Sequence, residues 1–208
     1  MSKVPREKRE RYLGVRLGLK GTRCESPKCA VVRRPYKPGA HGNSKSRRRS
    51  STSDFARQLL EKQKFKVTYG LHERTLRRMF ETANKSESET SSKLLELFER
   101  RLDNMLYRAG LASSRADARQ MVVQGHVMVN NRRTRSPSLS VKVNDVISLR
   151  DISREKNRFK SLKETLVNRE IPEWLALDKD KLEVRVISLP VVSEPPFEIN
   201  LLVESFSK

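Results

Sequence analysis

The sequence predicts an α+β fold: a basic N-terminal arm, a small helical domain, and an inserted α/β module with antiparallel strands. Three observations carry this reading. Apolar residues recur at helical spacing over 54–84 and again over 92–109. A second helix with a start signal and a strand–turn–strand pattern follow within 113–135. Short alternating segments then recur at 141–150 and 182–186.

Residues 1–50 hold sixteen Lys/Arg against three acids and are punctuated by Gly14, Gly18, Gly21, Pro35, Pro38, Gly39 and Gly42. A segment this basic repels itself, so it reads as an arm that orders along a polyanion. The stretch 44–53 is a polar loop. A helix is expected from Ser53 or Asp54 to about 66, with Phe55, Leu59, Leu60 and Phe65 inward and Arg57, Lys62 and Lys64 outside. A further helix over 72–84 turns Leu76, Met79 and Phe80 inward and leaves Arg74, Arg77 and Arg78 outside. The Ser-rich stretch 85–92 marks a boundary. The expected domains are 1–50 (arm), 51–92 (helical), 93–190 (α/β module, with its main motif at 99–150) and 191–208 (tail).

The module opens with one helix expected over 92–109, cored by Leu94, Leu95, Phe98, Leu102, Met105, Leu106 and Ala109 and stopped by Gly110. Arg101, Asn104 and Arg108 form a second stripe beside that core. Ser114 is the N-cap of the next helix, with Asp117 three residues on, and Arg115 and Arg119 share a face. The hydroxyls of Ser113 and Ser114, with the helix N-terminal N–H groups, suit a phosphate. Residues 126–130 read as a strand with Val127 and Val129 on one face and His126, Met128 and Asn130 on the other. Asn130-Asn131 turns, and Arg132 and Arg133 follow. Asn144-Asp145 turns into a strand over 146–150. A helix is expected near 153–168, Trp174 is a core anchor, and 201–206 reads as a final strand.

Charge narrows the function classes. Lys and Arg number 45 against 25 Asp and Glu, a formal net charge of +20. Such an excess calls for a polyanion, nucleic acid or an anionic membrane. No apolar run approaches the roughly 18–20 residues a spanning helix needs, and no apolar stretch follows Met1 as a secretory signal would. Aromatics are only 6% of the chain, which disfavours a base-stacking single-strand binder and favours folded RNA read through shape and phosphate.

The stretch RRLDNMLYRAGLASSRADARQMVVQGHVMVN resembles the RNA-binding module of bacterial small-subunit ribosomal protein four, a module also found in some pseudouridine synthases and tyrosyl-tRNA synthetases. LKGTRCESPKC at 19–29, RRPYKPGAHG at 33–42, LLEKQKFKVTYGLHERTLRRMF at 59–80 and the ending INLLVESFSK are similar to the same ribosomal family, in the same order. The family commonly has Gly where this chain has Asn131 and Asn144, and Asn is the next-best residue for a positive φ. The resemblance implies a non-enzymatic, cytoplasmic constituent of the small ribosomal subunit that binds the 5′ domain of its RNA at a helix junction early in assembly. It also implies a place with small-subunit proteins three and five along the channel through which messenger RNA enters, an influence on decoding accuracy, and a tail that folds back toward the 54–84 helices. The loop 44–49, with Arg47, Arg48 and Arg49, is the expected edge of that channel. The expected RNA contacts are these three arginines, Lys62, Lys64, Arg74, Arg77, Arg78, Arg101, Asn104, Arg108, Ser113, Ser114, Arg115, Arg119, His126, Asn130, Arg132 and Arg133. Alternative readings are a stand-alone RNA chaperone or an RNA-modification factor carrying the same module.

Other chemistry finds less support. Cys24 and Cys29 would be half of a zinc site, but His41 is the only nearby substitute ligand and a fourth is missing, so two plain thiols and no cofactor are expected. The triplet Arg101-Leu102-Asp103 matches the surroundings of a pseudouridine synthase aspartate, but inside a helix Asp103 is expected to pair with neighbouring arginines. His41, His72 and His126 are scattered, and no Gly-rich phosphate loop is present, so neither a triad nor nucleotide hydrolysis is suggested. His126 reads either as an RNA contact or as a partly buried strand residue. Exposed arginines on the module's helices are expected to matter little to folding.

Overall fold

The computed structural model describes residues 5–42, 53–160, 162, 166, 170–191 and 197–207. In chain order the helices are α1 (Arg6–Leu13), α2 (Thr22–Glu25), α3 (Ala30–Arg33), α4 (Asp54–Tyr69), α5 (Glu73–Asn84), α6 (Thr90–Glu99), α7 (Leu102–Arg108), α8 (Arg115–Val123), α9 (Asp151–Arg154), α10 (Asn157–Lys160) and α11 (Ile199–Ser207). The strands are β1 (Val127–Val129), β2 (Arg132–Arg133), β3 (Val146–Leu149), β4 (Leu175–Asp178) and β5 (Glu183–Val186). The mixture is the expected α+β class. Two compact units result, one of 1–94 with 194–208 and one of 95–193.

In the first unit, the segment read as a basic arm that orders along a polyanion carries three short helices of its own. A buried carboxylate accounts for this. Glu10 is fully buried, and its Oε1 accepts the backbone N–H groups of Leu17 at 3.0 Å and Leu19 at 3.2 Å. Gly14 ends α1 with φ +70°, a left-handed turn that brings residues 17–19 back over Glu10. Leu13, Cys24 and Cys29 fill the small core beneath. Arg11 donates to the carbonyls of Arg34 and Tyr36 and lies over the Tyr36 ring at 5.0 Å.

Helix α4 turns a different face inward from the one its apolar residues mark. Phe65 is buried, but Phe55 is 71% and Leu59 45% exposed, while Gln58, Glu61 and Thr68 are buried. The reason is a polar partner from the C-terminal segment. Gln58 Nε2 donates to Glu204 at 3.0 Å, and the Glu198 N–H donates to Glu61 at 3.2 Å. Phe197 meets Phe65 edge-on at 4.8 Å. The expected strand over 201–206 is therefore the helix α11. A six-residue segment with only four apolar residues fits either period, and here the helical one wins. Ile199 and Leu202 are buried one turn apart, and Phe206 stacks on Phe80 of α5 at 4.8 Å.

The second unit is a five-stranded antiparallel sheet in the order β2-β1-β3-β5-β4. Its core joins Met105 and Leu106 of α7, Met121 and Val122 of α8, and Val127, Ile147, Leu149, Val184 and Val186 of the strands, with Phe159 and Trp174. Asn130, Asn131 and Asn144 adopt positive φ of 49°, 62° and 71°, so both Asn turns form. The register that follows pairs Met128 with Arg133 and Val127 with Leu149.

The single helix expected over 92–109 is interrupted. Arg101 is extended, at φ −66° and ψ 137°, and bridges Ser140. Segment 137–141 supplies the partners that the helix would otherwise provide. Leu102 N–H donates to the Leu139 carbonyl at 2.9 Å, Asp103 N–H to Pro137 at 3.1 Å, and Val141 N–H to Arg100 at 2.9 Å. The first two N–H groups of α7 are thus satisfied by chain more than thirty residues away, and the Asn104 N–H by the Arg101 carbonyl at 3.0 Å. Likewise, the helix expected near 153–168 begins as two short ones, α9 and α10, with Phe159 and Leu166 buried.

The cap of α8 forms as expected: Ser114 Oγ accepts the Asp117 N–H at 3.2 Å, and Asp117 accepts from the Ser113 N–H and hydroxyl. Replacing Ser114 by Ala should cost about 1 kcal/mol through the lost cap, read as a lower denaturation midpoint with an unchanged fold by circular dichroism. An unchanged midpoint would show that Asp117 alone holds the helix start.

Candidate nucleic-acid interface

The module's arginines do not form one uniform exposed face. Two buried carboxylates gather them. Glu99, at the end of α6, is fully buried and accepts Arg108 through both oxygens, Nε at 2.8 Å and Nη2 at 2.9 Å. The same carboxylate accepts Asn104 Nδ2 at 2.7 Å. Asn104 Oδ1 in turn accepts Arg115 Nε at 2.7 Å, and the Arg115 guanidinium stacks over Tyr107 at 4.5 Å. Asp103 takes Arg101 in a two-point pair at 3.1 and 2.7 Å and Arg119 at 3.5 Å. The sequence expectation that Asp103 pairs with arginines agrees with these contacts.

Two expected RNA contacts are thereby corrected. Arg101 and Asn104 are buried, at 3% and 1% exposure, because the break before α7 turns them toward Asp103 and Glu99. They hold the network and present nothing to solvent. Ser114 is also buried, its hydroxyl spent on the α8 cap. Arg108, Arg115 and Arg119 remain partly exposed on the module's surface, each fixed by the contact behind it. Two carboxylates among four guanidiniums leave a surplus of two positive charges held in fixed positions. That suits an anion, because the entropy of ordering long side chains is already spent in the fold. Their truncation is accordingly no longer expected to spare folding.

Asn130 is exposed, but its side chain is tied down: Nδ2 donates to Asp145 at 2.8 Å and Oδ1 accepts the Val146 N–H at 2.9 Å. Arg132 and Arg133 are exposed on β2. Ser113 is exposed and donates to Asp117. In the first unit, Lys62 pairs with Glu73 at 2.6 Å and lies over Phe206 at 4.1 Å, while Lys64 pairs with Glu61. Both are corrected from outward cations to partly buried, neutralised ones, because the polar face of α4 is the packed face. Arg74, Arg77 and Arg78 are exposed on α5, with Arg77 3.4 Å from Glu81. Arg47, Arg48 and Arg49 lie outside the described residues.

His126 is half-buried against Phe159, edge-on at 5.5 Å. Its Nδ1 lies 3.0 Å from the Ser153 hydroxyl and its Nε2 3.1 Å from Gln124 Oε1. Since Oε1 only accepts, Nε2 carries the proton and Nδ1 accepts from Ser153. Burial, reinforced by Lys156, Arg158, Arg150 and Arg133, holds its pKa below the ordinary 6.5. Both Cys24 and Cys29 are buried free thiols, and burial first, then the Glu10 carboxylate and Cys29, push the Cys24 thiol up. Among the described residues, no group of three or more His, Cys, Asp or Glu is placed to hold a metal ion. No helix among them is long and apolar enough to cross a membrane.

Sequence reading missed Glu99 as an anchor and gave no role to Arg135, Arg150, Lys156 and Arg158. Glu99 does carry a signal: it is an acid preceded by Leu97 and Phe98 and followed directly by Arg100 and Arg101.

The description "Ribosomal protein S4/S9 N-terminal domain" matches residues 2–99, and "S4 domain" matches residues 100–147. The chain is similar to small ribosomal subunit protein uS4 of Pelotomaculum thermopropionicum, at 45% identity over 94% of this chain and 93% of the relative. The corresponding proteins of Syntrophomonas wolfei and Caldicellulosiruptor bescii are 43% and 45% identical, with the same coverage of both chains.

The buried pairs predict a large stability effect. Asp103→Ala leaves the buried Arg101 unpaired and should cost about 3–5 kcal/mol, measured by denaturant titration; a loss under about 1 kcal/mol would place Arg101 in water instead. His126 gives a pH prediction. Its folded pKa lies below 6.5, so the unfolded chain takes up the proton first. That contribution is complete above the unfolded value and is lost as pH falls from there through the lower folded value. Between about pH 7.5 and pH 5.5 the parent should lose more stability than His126→Gln. Equal losses, or an imidazole titrating above 6.5 by nuclear magnetic resonance, would contradict the assignment.

Proposed function

The chain belongs to the family of small ribosomal subunit protein uS4, and from that premise we propose how it works as a non-enzymatic, RNA-binding constituent of the small ribosomal subunit. It binds small-subunit ribosomal RNA in the 5′ domain, at a helix junction, early in assembly. RNA helices meeting at a junction repel one another through their phosphates. A protein that places several fixed cations between them lowers the cost of bringing them together. The observation that carries the reading is the charge: sixteen Lys/Arg against three acids in residues 1–50, and a net +20 overall, in a chain similar to uS4 along 94% of its length. Partly exposed arginines at the α7–α8 network and the exposed Arg74, Arg77 and Arg78 of α5 provide two further basic surfaces.

In the finer reading, the 44–49 loop with Arg47, Arg48 and Arg49 faces the channel through which messenger RNA enters, beside small-subunit proteins three and five. Through that contact the protein influences translational accuracy. The support is the run of basic residues and the family membership.

Purified protein should bind a transcript of the 5′ domain of small-subunit ribosomal RNA with no other protein present. If about six to ten phosphates are neutralised, affinity should fall by roughly 10³–10⁵ between 50 and 200 mM salt. A flat salt response, or binding that requires other ribosomal proteins first, would overturn the proposal of an early, phosphate-directed binder.

A further inference from the structure

The described cations of the second unit fall into two classes. Arg101, Arg108 and Arg119 each meet a carboxylate, and so do Arg154, with Asp151 and Glu183, and Arg158, with Asp117. Arg133, Arg135, Arg150 and Lys156 do not pair with any acid among the described residues, and neither do Arg132, Lys142, Lys181 and Arg185, but only the first four gather around His126. The strand register shows how these four come together. Met128 opposes Arg133, and the ladder continues through the Thr134 N–H to the Val127 carbonyl, so Arg135 falls opposite His126. On the other side of β1, Val127 opposes Leu149, and the Arg150 N–H donates to the His126 carbonyl at 3.0 Å. Positions 135, 126 and 150 therefore form one row across three strands, with Arg133 two residues from Arg135 on the same face.

This row lies on the sheet face opposite Val127, Ile147 and Leu149, with His126 at its centre half-buried against Phe159. The Arg133 guanidinium lies close against Gly125: a Cβ built there would come within 2.6 Å of its Nε and Nη2. Lys156 follows α9, whose Ser153 holds the His126 ring. The acids on the adjoining elements do not relieve this charge. Asp151 and Glu183 are both taken by Arg154, at 3.6 and 3.4 Å, and Glu155 forms no ion pair among the described residues. Like charges on neighbouring strands are destabilising, and their mutual effect is visible in Arg133, which Arg135 foremost, then partial burial and Arg150, hold below its ordinary pKa. Uncompensated cations, three exposed and Arg150 partly so, are what a polyanion's phosphates would neutralise.

We propose that Arg133, Arg135, Arg150 and Lys156, arranged around His126, form a distinct phosphate-binding site of the module that grips the RNA backbone, separate from the carboxylate-anchored arginines of α7 and α8. The proposal deepens the RNA-binding reading above and rests on it. His126 sits in the centre as a neutral ring, its nitrogens held by Ser153 and Gln124, and fixes the floor on which the cations stand.

The test uses the full chain and the 5′-domain transcript as probe. Arg133→Gln plus Arg150→Gln should weaken binding about tenfold or more and reduce the slope of log affinity against log salt by about two. Lys142→Gln plus Lys181→Gln removes equal charge from the exposed turns at 142 and 181 and should change affinity less than about threefold, beyond the general charge effect. The denaturation midpoint of the arginine variant should match or exceed that of the parent, since no described ion pair is lost. In the parent, His126 should titrate at higher pH in the complex than in the free protein, because phosphates offset the surrounding cations. Arginine-variant binding equal to the parent's, or an equal loss in the lysine variant, overturns the site while leaving RNA binding intact. A parent chain that does not bind the transcript overturns both.

Discussion

Burying Glu99 and Asp103 at the break between α6 and α7 is the constraint on which the second unit depends. An isolated buried carboxylate is expensive, and so is a buried guanidinium. Each is tolerable here only because the other is present in a fixed geometry: Arg108 with two bonds to Glu99, Arg101 with two bonds to Asp103. Asn104 extends the first pair to α8 by donating to Glu99 and accepting from Arg115, and Arg119 of α8 reaches Asp103. The network ties α6, α7 and α8 to one another beside the apolar core that α7 and α8 share. It also decides which cations stay at the surface, since the arginines that meet carboxylates cannot swing away.

Charge is thus sorted by the fold. One set of cations is anchored and partly neutralised, while another, on the β1–β2–β3 face and on α5, is left without acidic neighbours or close to exposed ones. The anchored set contributes to stability and presents a rigid outline. The uncompensated set opposes folding by mutual repulsion and is relieved by an anion. A protein that must both fold and hold RNA benefits from this split, because the same arginine cannot be fully spent on an internal carboxylate and on a phosphate.

Glu10 repeats the device in the first unit. Its buried carboxylate gathers two backbone N–H groups and lies 4.0 Å from the Cys24 thiol. A segment with sixteen cations and three acids can form helices because one of those acids is placed at the centre of its packing. Cys24 and Cys29 act there as small apolar side chains, buried beside Leu13.

The sequence by itself determined the class of the fold, the hairpin and its Asn turns, the Ser114 cap, and an RNA-binding role from charge and family resemblance. These are local or compositional properties: a cap needs residues three apart, a turn needs a residue tolerant of positive φ, and net charge needs no coordinates at all. Tertiary structure alone decided the break at Arg101, the inward polar face of α4, the helical form of 199–207, and which arginines are available. Leu102 finds its hydrogen-bond acceptor at Leu139, Gln58 its partner at Glu204, and Arg150 its place beside Arg135 only across a third strand. Periodicity along the chain reports which residues share a face. It cannot report what that face meets, and the burial of a polar or charged side chain is set by the partner it meets.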